Sequence, residues 1–252
     1  VVIDSKRLTI VGGFSDVEFT MNDSPESSTL QRQNDADLQP DTVRLDGDAE
    51  VVLHNLTVAA PAIGDTAAVA STIADHVDGA ATLTLVDVRV EMPALSNDAL
   101  YISRGIDVRS DASITLVRSE VLGDRIDSST SITGPASGIG IEAINSDVRI
   151  LERSEISGID LRGTYPGDGF VAGVSTFGGT LSVIDTEIRD VAARASTPGS
   201  GPSAFLRARG IEARNTDVVL DQITVDDVAA IYTGTDSDSN RALNTEGVYV
   251  EG

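Results

Sequence analysis

The chain says nearly the same thing twice. Residues 105–123 read GIDVRSDASITLVRSEVLG and residues 140–158 read GIEAINSDVRILERSEISG, two nineteen-residue stretches that start thirty-five residues apart. Each opens Gly-Ile, carries Leu at its twelfth place (Leu116, Leu151), and follows it with Arg-Ser-Glu and an aliphatic residue. Self-similarity at this spacing marks a chain built of stacked units, each too small to bury its own apolar face.

The period extends in both directions. Taking an aliphatic residue followed five places later by another as the anchor, the pairs are Leu53/Val58, Leu85/Val90, Leu116/Val121, Leu151/Ile156, Val183/Ile188 and Leu220/Val225, spaced by 32, 31, 35, 32 and 37 residues. Two places before the anchor stands a further aliphatic: Val51, Leu83, Ile114, Leu181 and Val218. Arg149 is the exception, and a one-residue bulge there restores Val148 or Ile150 to the core. Upstream of the anchor comes a Gly-aliphatic pair, as in Gly105-Ile106, Gly140-Ile141, Gly173-Val174 and Gly210-Ile211, with Gly247-Val248 opening the next unit. Glycine in that place is expected to serve a tight turn into a strand.

Within a unit the alternation has period two and β-branched residues abound, as in ATLTL, ASITL and GTLSV. Each unit reads as three short strands and a longer loop. One stretch, residues 63–77 (IGDTAAVASTIADHV), is a candidate helical insertion. The expected fold is all-β: a right-handed, single-stranded parallel β-helix of about seven or eight coils with a period of 31–37 residues, occupying 1–252 as one domain cut from a longer chain. The three-strand coil, the Gly-aliphatic pairs and the opening LTIVGGF (residues 8–14) resemble the pectate-lyase-like β-helix superfamily, and within it the repeat-containing proteins of bacterial surfaces. The resemblance implies a fold, and that fold hosts lyases, hydrolases, tailspikes, adhesins and stalks alike.

Composition narrows the partners. The formal charge is -22, from 40 acidic residues against 18 Lys and Arg, and the only lysine is Lys6. Such a surface repels phosphate backbones and anionic lipid, so nucleic acid is excluded as a partner and no membrane insertion is expected. No cysteine is present, which rules out disulfides and thiolate chemistry. Aromatics make up only 4%, so the core falls to Val, Ile, Leu and Ala.

The long loops, residues 59–76, 92–104, 122–137, 157–171, 192–208 and 229–245, all leave at the same phase and therefore stack along one face. Such loops serve as a binding face or drift without one. Five aromatics lie in them, Tyr101, Tyr165, Phe170, Phe205 and Tyr232, and either stack on a sugar or protein partner or fold down over apolar clusters. The run DSDSN alternates Asp236, Asp238 and Asn240 like the first half of a calcium loop, although Arg241 stands where glycine belongs and Glu246 falls one place short of the bidentate position. Calcium is the one cofactor this spacing admits.

Two ladders follow from the register. Glu120, Glu155 and Glu187 share one place in three successive units, with Arg118, Arg153 and Arg189 near enough to neutralise them. Ser119, Ser154 and Thr186 share another, suited to a turn whose hydroxyls bond up and down the stack.

A catalytic site is not expected. The resemblance implies, for lyases, a Lys or Arg base beside calcium-binding carboxylates. Lys6 stands apart, which leaves Arg125, Arg153, Arg162, Arg189 and Arg209, and an arginine base demands special surroundings. For hydrolases it implies several Asp with a nearby His. His54 is expected on the surface and His76 in a loop, neither beside an Asp-Asp motif. The expected function is therefore a non-catalytic extracellular or cell-surface scaffold, adhesive or filament-forming, whose partner is protein (including itself) or polysaccharide. The alternatives are a polysaccharide-active enzyme and a glycan-binding tailspike-like fibre. The enzyme reading requires at least three Asp, Glu, Arg or His side chains pointing outward from one sheet in adjacent coils.

Overall fold

A computed structural model describes residues 2–4, 6–12, 28–31, 41–60, 71–92, 102–123, 125–128, 136–163, 169–195, 205–232 and 242–252. The described chain is a parallel β-solenoid without a helix. Every strand pairing is parallel and joins one coil to the next, because a strand roughly 4.8 Å above its predecessor satisfies its backbone groups and buries its apolar side chains at once.

The first ladder runs through β1 (Val2–Asp4), β4 (Asp41–Asp46), β7 (Ser71–Val77), β10 (Ile102–Arg109), β14 (Ala136–Leu151), β16 (Gly169–Ala195), β17 (Phe205–Arg214) and β20 (Ala242–Glu251). The second joins β2 (Arg7–Val11), β5 (Glu50–His54), β8 (Thr82–Val86), β11 (Ser113–Val117), the later part of β14, the middle of β16 and β18 (Asp217–Val225). The third joins β3 (Thr29–Gln31), β6 (Thr57–Ala59), β9 (Arg89–Glu91), β12 (Glu120–Leu122), β15 (Glu155–Gly163) and β16, whose Glu187–Ile188 meet Thr224–Val225 of β18. A fourth, shorter ladder was not foreseen. It joins β13 (Arg125–Ser128), the end of β15, the end of β16 and β19 (Val228–Tyr232).

The anchors form continuous aliphatic stacks. Leu53, Leu85, Leu116, Ile150 and Val183 lie directly over one another and are fully buried, as are Val58, Val90, Val121, Ile156 and Ile188. The anchor of the fourth repeat is Ile150, not Leu151, because Ile150 pairs with Leu116 while Leu151 pairs with Val117 on the outer face. The bulge lies in the following turn. There Glu152 and Arg153 both take positive φ (55° and 61°), where the preceding coil uses Arg118 alone (47°).

Three further expectations are corrected. Residues 71–77 form β7, not a helix, since pairing with β4 and β10 on either side overrides local propensity. The expected long loops are shorter, because strands of the first and fourth ladders extend into them from both ends. The repeated glycines do not open strands. Gly140 sits inside β14, and a Cβ there would lie 2.6 Å from the Gly173 carbonyl oxygen and 2.8 Å from Ile156 Cγ2. Close approach of backbone to side chain, not a turn, is what demands glycine.

Candidate functional site

The outer face of the first ladder carries the densest chemistry. Its register stacks Arg44, His76, Asp107, Glu142, Ser175, Glu212 and Tyr249 in one row. His76 is thus a strand residue, not a loop residue. Its Nδ1 lies 3.1 Å from Asp107 Oδ2. Asp107 is 5% exposed and its Oδ1 lies 2.5 Å from Arg109 Nη2, with Arg104 beyond. Arg104 and Arg109 both close onto Glu142. Burial pushes the Asp107 pKa up, but bonds from His76 and Arg109 and the charges of Arg109 and Arg104 outweigh it and hold the carboxyl below its usual range. One step along the same face, Asp46 accepts from Arg44 Nε at 3.2 Å and 2.9 Å through its two oxygens. Asp46, His76 and Asp78 each offer a ligand atom, all within 4.8 Å of one another. Neither histidine stands beside an Asp-Asp motif along the chain, but the fold brings acids to both: His54 Nε2 also lies 3.5 Å from Asp87 Oδ2.

Outward Arg, His, Asp and Glu in four adjacent strands meet the requirement set for the enzyme reading. No signal along the chain revealed them. Asp46, His76, Asp107 and Glu142 are about thirty residues apart and become neighbours only through the coil register.

Behind this face one acid points the other way. Asp75 takes the inward place held by Val43 below and Ile106 above, is fully buried, and neither carboxyl oxygen has a hydrogen-bond partner among the described residues. Burial alone pushes its pKa up to about 7.

The sequence-derived sites fare unevenly. Phe170 lies in β16 and Phe205 in β17, inside strands, with the Arg207 guanidinium 5.9 Å and 4.9 Å from their ring centres. Tyr232 ends β19 and packs against the core. Tyr101 and Tyr165, and all of Asp236, Asp238 and Asn240, lie outside the described residues. Phe170, Phe205 and Tyr232 thus divide between a cation-facing pair and a core-capping ring.

The candidate arginine bases whose side chains are described are exposed in a turn or held by carboxylates. Arg153 lies in the positive-φ turn, exposed. Arg162 donates to Asp160 (Nε to Oδ2, 2.6 Å), Arg189 reaches Glu155 (2.8 Å) and Glu187 (3.3 Å), and Arg209 reaches Glu212 (2.6 Å) and Glu246 (2.8 Å). Glu155 first, with Asp190 and Glu187, raises the Arg189 pKa further, the wrong direction for a base. The side chain of Arg125, in β13, lies outside the described part.

The glutamate ladder is in register, Glu120 over Arg89 below and Glu155 above, and Glu155 under Glu187. Arg89 Nε donates to Glu120 at 2.9 Å, and Arg189 bridges Glu155 and Glu187. Arg118 turns instead to Asp87 (2.8 Å) and Glu152 (2.7 Å). The hydroxyl ladder also forms. Ser119 Oγ accepts from Val88 N at 3.1 Å and lies 3.1 Å from the Leu85 carbonyl oxygen, and Ser154 Oγ accepts from Ser119 N at 3.2 Å.

An open groove of about 730 Å³ lies along the fourth ladder. Gly158, Asp190 and Asp227, all at positive φ, form its corner, and Asp160 sits in it between Arg162 and Arg194.

Comparison with known proteins places no relative beside this arrangement: no family, no curated protein and no solved structure matches the chain.

Proposed function

We propose that this chain is a non-catalytic scaffold of the extracellular space or cell surface, adhesive or filament-forming. The observation that carries the reading is the use of outward charge. Along the first ladder Arg104 and Arg109 are committed to Asp107 and Glu142, and Arg209 and Arg214 to Glu212. Along the third, arginines interleave with the glutamates. Side chains that neutralise one another from coil to coil serve the stack itself, as a structural solenoid requires. Membership of the right-handed pectate-lyase-like superfamily belongs to the same proposal and rests on the coil geometry alone.

A second reading has a specific observation in its favour. The His76–Asp107 pair beside Asp46, Asp78 and Glu142 is an outward cluster in adjacent coils, such as a polysaccharide-active enzyme requires. Incubation with a panel of neutral and acidic polysaccharides, with and without calcium, separates the two. The scaffold reading expects no small products by mass spectrometry. Retention on a polymer without cleavage narrows it to a glycan-binding adhesin, whereas oligosaccharide release overturns it.

A further inference from the structure

We propose that Asp46, His76 and Asp78 bind a divalent transition-metal ion of the zinc type, with Asp107 orienting the histidine. The three residues come from neighbouring coils. Asp46 ends β4, His76 lies in β7 opposite Arg44, and Asp78 follows β7, its N–H donating to the Leu45 carbonyl at 3.0 Å. That pairing sets Asp46 and Asp78 level, one strand spacing apart, with the imidazole beside them. Their three ligand atoms fall within 4.8 Å of one another, so small side-chain rotations close them on one ion.

The donor chemistry selects the ion. One imidazole nitrogen and two carboxylates form a mixed nitrogen–oxygen set, which suits zinc and its neighbours, whereas calcium takes oxygen alone. Water completes a tetrahedral shell.

The strongest support lies outside the three ligands. Histidines that bind metals direct their other ring nitrogen to a carboxylate, which fixes the tautomer. His76 has this arrangement: Nδ1 faces the buried, arginine-clamped Asp107, leaving Nε2 as the ligating atom. The charge balance agrees. Arg44 pairs with Asp46, and Arg104 and Arg109 pair with Asp107 and Glu142, so Asp78 adds a further carboxylate to the cluster for a cation to offset. Asp41 is 5% exposed and its Oδ1 has no hydrogen-bond partner among the described residues. Arg44 holds Asp46 through Nε, and each carboxylate oxygen keeps a lone pair for the metal.

The test uses the untagged protein, stripped with a chelator and titrated with Zn²⁺ by calorimetry and with Co²⁺ by visible absorption. One equivalent should bind, with d–d bands of four-coordinate cobalt. His76→Ala and Asp78→Asn should each abolish those bands. Asp107→Asn should retain one equivalent but weaken it about 10- to 100-fold, as loss of an orienting carboxylate does. Circular dichroism confirms that each variant is folded, and Asp46→Asn stands in for any that is not. Zinc affinity unchanged in the variants, or no binding to the parent, overturns the proposal. Excess calcium should not displace the cobalt, and displacement by calcium overturns the assignment of the ion.

Discussion

At the residue scale the most consequential side chain is Asp75. Inward places above and below it are aliphatic, and a carboxyl there without a partner is costly when ionised. Its pKa of about 7 in the folded chain exceeds the ordinary 3.8. Well below pH 3.8 both states hold the proton and no penalty arises. As pH rises toward 7 the unfolded chain releases the proton first, so folding stability falls, and above pH 7 the loss is complete. From pH 5 to pH 8 the parent should lose on the order of 3 kcal/mol relative to Asp75→Asn, which carries no such titration. Urea denaturation of both proteins at the two pH values, with chelator present, measures this. Parallel pH profiles would mean that Asp75 finds a partner. The chain shows Asp75 only as one of 28 aspartates. Its burial follows from the strand parity of β7, which a helical reading of residues 63–77 hides.

At the element scale, turns and strand interiors are specified by stacking. Ser119 is nearly inaccessible and its hydroxyl satisfies the Val88 N–H of the coil below. Ser119→Ala leaves that buried donor bare and should cost about 1–3 kcal/mol in urea denaturation. A Ser119→Ala chain as stable as the parent would show that water replaces the hydroxyl. Gly140 makes a stricter demand. Its missing Cβ would strike the Gly173 carbonyl oxygen of the next coil and Ile156 across the interior of its own coil. Gly140→Ala should therefore lower stability by about 1–3 kcal/mol, the usual cost of overpacking, despite its lower unfolded-state entropy. A raised melting temperature would show that the coils separate easily. Both ladders were legible as repeats. Their reasons were not, because Val88 and Gly173 belong to other coils and Ile156 lies across the core of the same one.

At the scale of the whole molecule the net charge of -22 governs behaviour. Local pairs offset part of it, and the remaining excess of carboxylates repels itself. Raising salt from about 0.01 M to 0.15 M shortens the screening length from about 30 Å to 8 Å. The melting temperature should rise with that change, measured by scanning calorimetry in a non-binding salt. A fall would mean that the interleaved pairs, such as Arg189 with Glu155, outweigh the long-range repulsion.

The sequence by itself determined the coil. Period, strand parity and the aliphatic anchors are local properties repeated along the chain, and stacking only multiplies them, so Leu53, Leu85, Leu116 and Val183 could be placed in the core unaided. The break in that rhythm was visible at Arg149, but the extra residue itself lies in the following turn, at Glu152 and Arg153. The tertiary structure decided which side chains meet. His76, Asp107 and Glu142 stand 31 and 35 residues apart, a distance that carries no chemistry until parallel pairing brings them one strand spacing from each other. Fold was legible because it repeats. The candidate site was not, because each of its members occurs once and their proximity is a property of register between coils.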